Sequence, residues 1–196
     1  MNAPLLILAS ASPRRADLLR QLGFEFHVVP STVVEAKPDD LSAGEVAQMN
    51  AYRKARAVSK KHPDAVTLGV DTLVALGRAL YGKPGSLAEA ERMITELMGK
   101  THQVVTGVCL IHLRGHRQRI FWVQTDVTFR RLTLPQIRQY HAMVNPLDKA
   151  GAYGIQEESG VLVESISGSF SNVAGLPMER LQTELAAFGI VPAAAP

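Results

Sequence analysis

A five-residue apolar run, Leu5-Leu6-Ile7-Leu8-Ala9, gives way at once to Ser10-Ala11-Ser12-Pro13-Arg14-Arg15 and then to an amphipathic stretch. A chain ordered in this way is committed to a strand that turns into a helix. Ser12 stands as N-cap and Pro13 as the first helical residue, so free backbone N–H groups point out from the strand's end, where a phosphate would sit. The two arginines sharpen the reading. A helix N-terminus disfavours each nearby cation by about 0.3–1 kcal/mol, and a capping box would place Glu or Gln where Arg15 stands. Something anionic should offset that cost; a solvent-facing helix start with two frayed arginines is the ordinary alternative.

With 196 residues, 46% of them hydrophobic, the chain can bury a real core as one enzyme-sized unit. A net charge of +3 suits a polyanionic small molecule, while no block of consecutive Lys or Arg resembles a nucleic-acid tail. The single cysteine, Cys109, lies between Val108 and Leu110. It can form no internal disulfide and reads as a buried small hydrophobe, which fits a reducing, cytoplasmic compartment. No apolar segment has the length to span a membrane, and no positive region precedes the N-terminal run as a signal peptide would require.

Periodicity predicts an α/β order. Leu18, Leu19 and Leu22 share a face of the helix from Pro13, which Gly23 stops. Phe24 to Val29 reads as a second strand, Ser42 to Lys61 as a helix, and Ala65 to Val70 as a strand ending at Asp71. Gly77 predicts a reversal before Leu80 and Tyr81, and Ser86 caps a helix with Glu89 as its capping-box partner. Residues 103–113 and 118–130 form a long hairpin around Arg114-Gly115-His116. Helices follow from Thr133 through Met143 and from Leu176 to Phe188, and residues 192–196 read as a frayed tail. The fold class is α/β, with a mixed, strongly curved sheet and flanking helices.

Polar residues that interrupt this pattern are the candidate site. Lys54 falls beside the apolar face of Ala47, Ala51, Ala55 and Val58; it either snorkels at the core's edge, the favoured reading, or reaches into a cleft. Asp71, placed before Thr72 at a strand's end, is either a ligand group at the carboxyl edge of the sheet or a turn-forming aspartate. In Gly82-Lys83-Pro84 the lysine is aimed by restricted neighbours, or sits in a surface turn. Glu35 alone says little. In the run from Asp148 to Gln156, small residues let backbone approach a ligand while Lys149, Tyr153 and Gln156 project toward it. Gly168 to Pro177 supplies a second glycine-bearing loop. The six histidines show no metal-ligand spacing.

Six motifs in order resemble one family. Ser10-Ala11-Ser12-Pro13-Arg14-Arg15, Asn50-Ala51-Tyr52-Arg53-Lys54-Ala55, Asp71-Thr72-Leu73-Val74, Gly82-Lys83-Pro84, Asp148 to Gln156, and Asn172-Val173-Ala174-Gly175-Leu176-Pro177 are similar to those of the Maf nucleoside triphosphate pyrophosphatases, particularly the dTTP/UTP-cleaving branch. The likeness runs from Leu6 to about Phe188. It implies a single domain over residues 1–196, built as two lobes around a long cleft, a homodimer, a divalent metal, and hydrolysis of a nucleotide to its monophosphate and pyrophosphate. It implies that Asp71 is the catalytic acid residue, and Arg14, Thr72 and Gln156 match positions that mark the pyrimidine branch. One departure stands out: where the family usually carries an acidic pair, Val34 precedes Glu35, so weaker metal affinity with persisting chemistry is the expectation.

Cleaving an α–β phosphoanhydride needs a metal to neutralise phosphate oxygens, cations for the leaving pyrophosphate and a carboxylate to orient water. Magnesium suits a site of carboxylate, water and phosphate oxygens. Asp71 and Glu35 are assigned to metal binding and water activation, with Asp71 favoured as base. Ser10 belongs with the substrate-binding set, Arg14, Arg15, Lys54 and Lys83 grip the triphosphate, and the Gln156 amide meets the uracil or thymine edge, with Thr72 or the Ala150 to Gly154 backbone fixing its orientation. Two alternatives are a purine- or 7-methyl-GTP-directed pyrophosphatase and a non-catalytic nucleotide- or nucleic-acid-binding regulator.

Overall fold

The structure, a computed structural model, describes residues 4–157 and 159–193. Strand β1 (Leu6–Leu8) is wholly buried and leads into α1 (Pro13–Gln21), which starts at Pro13 and is followed by Gly23 at φ +75°. After β2 (His27–Val28) and an irregular loop, α2 (Ala43–Ser59) opens on a true capping box. Ser42 Oγ accepts from the Glu45 N–H, and the Glu45 carboxylate accepts from the Ser42 N–H. Next come β3 (Val66–Leu76), β4 (Ala79–Tyr81), α3 (Leu87–Leu97), and the hairpin of β5 (Thr101–His112) and β6 (Arg117–Phe129). Then follow α4 (Leu134–Met143), a 3₁₀ turn (Ala150–Ala152), α5 (Ser159–Leu162), β7 (Val163–Ser167), α6 (Phe170–Val173) and α7 (Met178–Ala187).

The strands form one mixed sheet of order β2-β1-β3-β5-β6-β7, with β4 paired to β3. β1 runs parallel to β2 and β3, and the remaining pairs are antiparallel. Side chains alternate across β3. Its even positions Val66, Leu68 and Val70 join a core with α1 and α7, while Val74 joins a second core with α3, α4 and Phe129. The odd positions face α2, whose backbone comes so close that a Cβ on Gly69 would lie 2.2 Å from the Ala51 carbonyl oxygen, and one on Gly107 2.2 Å from the Ala47 carbonyl carbon. Cys109 is buried against Ala51 and Ala55, as its apolar flanks foretold, and burial pushes its thiol up to about 12.

Several elements differ from the sequence reading. The second strand shrinks to two residues because Phe24 turns into the core with α1 and α7. The Glu89 carboxylate accepts from the Gly85 N–H instead of closing a box on Ser86. The last helix begins two residues later than expected, and β7, α5 and α6 carry too little periodicity to be read in advance. Ala193 donates its N–H to the Gly23 carbonyl; residues 194–196 of the expected tail lie outside the described residues. The largest change concerns β3, which does not end at Asp71 but runs on to Leu76. Its parallel neighbour ends instead: β1 stops at Leu8, opposite Leu68.

The second core holds a buried histidine that sets a pH limit. His102 is edge-on to Phe129 and hydrogen-bonded through Nε2 to the Tyr153 hydroxyl at 2.9 Å, with Nδ1 buried and unpartnered among the described residues. Burial lowers its pKa from 6.5 to about 4. The unfolded chain takes the proton at the ordinary value, so this stability is complete above pH 6.5 and drains as pH falls toward 4, by about 3 kcal/mol. Thermal melts at pH 7.5 and 4.5 should show a smaller acid-induced drop for His102→Gln than for wild type; equal drops would refute this account.

Candidate active site

A cavity of about 240 Å³ opens where β1 ends, and residues of both cores, Ile155 and Ala174 from the first and Val74, Val104 and Tyr153 from the second, line it. Because no neighbouring strand covers β3 on that side between Leu68, where β1 ends, and Val74, where β4 begins, the cavity reaches residues from both faces of β3. Asp71 enters from the α2 face and Thr72 from the α1 face. All nine residues assigned from sequence to catalysis or substrate binding line this one space: Ser10, Arg14, Arg15, Glu35, Lys54, Asp71, Thr72, Lys83 and Gln156.

Its acidic side is built on α2. Lys54 Nζ donates to Asp71 Oδ1 at 2.7 Å and to Glu35 Oε1 at 2.6 Å, so it does not snorkel: it bridges two carboxylates. The sequence favoured the core's edge because neither partner is near it in the chain. Asp71 is only 2% exposed. Burial, with the nearby charge of Glu35, raises its pKa against the opposing pull of Lys54 and Asn50. For Glu35, burial again pushes upward, but the Lys54 bond and charge and the Lys83 charge bring the group below its ordinary value. In the extended loop before it, Ser31, Val33 and Glu35 line the cavity whereas Val34 is 81% exposed and does not. Val34, where the family resemblance implies a second acid, thus lies outside the cavity lining.

The basic side is built on α1. Ser12 makes no side-chain cap and the first turn holds no acidic residue, which leaves the helix start electropositive. Arg15 is held by protein acceptors: Nε donates to Gly175 O (2.9 Å), Nη1 to Ser10 Oγ (2.9 Å) and Val70 O (3.2 Å), and Nη2 to Thr72 Oγ1 (2.9 Å). Burial lowers its pKa to about 10 while Asp71 and Glu35 pull upward, so it remains a fixed positive charge at neutral pH. Ser10 and Thr72 serve that clamp, and Thr72 also shares a bond with Thr106 at 3.0 Å. Arg14 reaches across to Asp148, with Nη1 on Oδ2 at 2.9 Å and Nη2 on the carbonyl at 3.1 Å. Lys83 is exposed, with no hydrogen bond or ion pair among the described residues, on a turn held by the Gly151 N–H to Gly82 carbonyl bond.

The run from 148 to 157 differs in part from its expected role. Lys149 is 3% exposed, donates to Asn145 O and Asp148 Oδ1 at 2.9 and 2.8 Å, and forms an ion pair with Glu157 Oε1 at 3.2 Å. Tyr153 turns its hydroxyl inward to His102. Neither polar group is left free for a ligand. Gln156 is exposed, lines the cavity and has no hydrogen bond among the described residues. Three participants were not legible as such: Asp148 as the partner of Arg14, the Tyr140 hydroxyl that accepts from the Gly154 N–H, and Asn50, buried beside Asp71. Motif content flagged the segments of Asp148 and Asn50 but not that of Tyr140, and no spacing signalled these contacts.

A mixed sheet with a charge-dense cavity past the end of a parallel strand defines an α/β protein whose first helix opens, uncapped, at that cavity. The fold is similar to that of a solved HAM1 protein from Coxiella burnetii, at a TM-score of 0.55 and 16% identity over 94% of this chain and 99% of that one. Residues 5–188 match the family described as Maf-like protein, and the chain belongs to that family. Among relatives, it is 46% identical to a dTTP/UTP pyrophosphatase of Symbiobacterium thermophilum, covering 94% of both chains. It is 45% identical to one of Moorella thermoacetica, covering 94% of this chain and 95% of that one.

Proposed function

We propose that this chain is a nucleoside triphosphate pyrophosphatase that hydrolyses dTTP and UTP to the monophosphate and pyrophosphate. The names carried by its relatives support the reaction. The observation that carries it in this chain is the convergence of Asp71, Glu35 and Lys54 opposite the α1 start in one cavity.

The two carboxylates already converge on one cation, the Lys54 ammonium. Among the described residues no cluster of three or more His, Cys, Asp or Glu stands ready to hold a metal. Two hard oxygen donors fit magnesium, which keeps several waters and takes substrate phosphate oxygens, and fit poorly a metal that needs a full protein cage. Asp71 and Glu35 would hold it; when bound it supplies neutralisation of phosphate charge. Asp71 orients a water against the α-phosphorus and takes its proton, and the α–β P–O bond breaks. Lys83, Arg14 and the α1 N–H groups receive the charge that develops on the departing pyrophosphate, with Arg15 as a fixed charge behind them. Arg14 must exchange Asp148 for phosphate to take part.

Base choice falls to Gln156, whose amide offers one donor and one acceptor to the uracil or thymine edge. Thr72 is committed to Arg15 and Thr106, which leaves the backbone of residues 150–154 to fix the amide. Pyrophosphate release from dTTP, UTP, ITP and 7-methyl-GTP, with and without magnesium, tests the reading. Turnover confined to purine nucleotides, or DNA binding without turnover, would overturn it. In the same panel Gln156→Glu should lower kcat/KM for dTTP and UTP by about 10- to 100-fold while melting near wild type, because the side chain is exposed; a matched loss of stability would indicate a structural role.

A homodimer and a cytoplasmic setting belong to the same proposal. The buried, unpaired Cys109 needs no oxidising compartment, and among the described residues no helix is long and apolar enough to cross a membrane. Light scattering on purified protein tests the dimer.

A further inference from the structure

Asn50 sits on the buried face of α2, 1% exposed, and every polar atom of its amide is engaged. Its Oδ1 accepts the Ala36 N–H at 2.9 Å. One Nδ2 hydrogen goes to the Ala36 carbonyl at 2.9 Å and the other to Asp71 Oδ2 at 3.0 Å. A flipped amide would set its oxygen against two acceptors and its NH₂ against a donor, so the partners settle the orientation. Ala36 directly follows Glu35. The side chain therefore grips the backbone of the loop that carries one carboxylate and, with the same group, the side chain of the other.

Resting on the pyrophosphatase reading, we infer that Asn50 is a positioning residue that sets the spacing of the Glu35 and Asp71 carboxylates. The segment from Val29 to Pro38 has no strand or helix of its own, so the pairing of an irregular backbone with a rigid helix falls to side chains. Lys54 cannot do this alone. Its ammonium tethers only the far end of the Glu35 side chain, through a flexible stem, and follows the carboxylate wherever the loop goes. The planar amide fixes backbone at two points and leaves one direction, aimed at Asp71. Ground-state nucleotide contacts lie elsewhere, on Arg14, Lys83 and Gln156, so loss of Asn50 separates turnover from binding.

The test compares wild type with Asn50→Asp, which keeps the acceptor for Ala36 but loses both donors, and with Asn50→Ala. Three quantities are measured: steady-state kinetics on dTTP, the Kd for the non-hydrolysable α,β-imido-dUTP, and hydrogen exchange of the Ala36 amide in metal-free protein. The expected result is a fall in kcat of at least tenfold, KM and Kd within about threefold of wild type, and Ala36 exchange at least tenfold faster. Unchanged kcat in the folded variants overturns the inference, as does unchanged Ala36 exchange. So does a loss of kcat matched by Kd and by melting temperature. If both Asn50 variants fail to fold, Ala36→Pro removes the N–H that Asn50 holds without touching the core, and the same kinetic split decides. A wild-type protein that releases no pyrophosphate refutes the functional reading instead, while Ala36 exchange still tests the tether.

Discussion

Asp71→Asn is expected to lower pyrophosphate release from dTTP and UTP by about 10²- to 10⁴-fold, the range for removal of a positioned general base. The amide is the same size, so the cavity keeps its shape. It cannot take a proton from water, however, and it brings two donors to a place where two donors already converge, Lys54 on Oδ1 and Asn50 on Oδ2. One of those contacts becomes donor against donor. Against this, the variant no longer ionises a carboxyl whose pKa burial raises, so at neutral pH removal of the buried charge offsets part of the lost hydrogen bonding. A folded variant with near-wild-type melting and almost no turnover is the expected outcome, measured by coupled pyrophosphate assay beside a thermal melt. Turnover within tenfold of wild type would remove Asp71 from the role of base. If Glu35→Gln suffers the larger loss, the base is Glu35.

What the sequence made legible follows from how local each cause is. The strand-to-helix junction at Ser10 to Arg15 was readable because Pro13, the apolar run before it and the leucines after it act within one or two turns of chain. Asp71 was found for an incomplete reason. Its segment does reach the rim of the parallel sheet, yet the rim is made by β1 ending opposite Leu68, a fact of pairing and not of β3's own composition. The helix face around Lys54 favoured the core's edge over the cleft because its two partners stand 19 and 17 residues away, and an apolar helical face beside a lysine looks the same whether or not carboxylates await it; only the motif resemblance placed Lys54 in the site. Arg14 and Asp148, 134 residues apart, lie beyond any periodicity argument. Alternation of small and polar residues in the 148–156 run located a loop near the site, but could not distinguish Gln156, which faces the cavity, from Tyr153, which faces His102.

Gly107→Ala is expected to be the most damaging single-methyl change for both stability and activity. Gly107 lies in β5 beneath α2, and a Cβ there would stand 2.2 Å from the Ala47 carbonyl carbon, 2.3 Å from its oxygen and 2.5 Å from the Gln48 nitrogen. These are backbone atoms of a helix interior, so no side chain can swing aside; the helix itself must retreat by roughly 1 Å. Overpacking of this kind costs about 3 kcal/mol, or roughly 6–12 °C of melting temperature for a domain of this size. The effect on chemistry comes from the same displacement, because α2 delivers Asn50 and Lys54 to Asp71 with bonds of 3.0 and 2.7 Å. Moving their common helix by such a distance breaks both at once, and misplacement on that scale costs up to about 10²-fold in rate. The surviving folded fraction of Gly107→Ala should therefore be slow as well as scarce. Specific activity per folded molecule, taken well below its melting temperature, separates the two effects: full activity per folded molecule would show that the site tolerates a shifted α2, and that the close seat of this helix on the sheet serves stability alone.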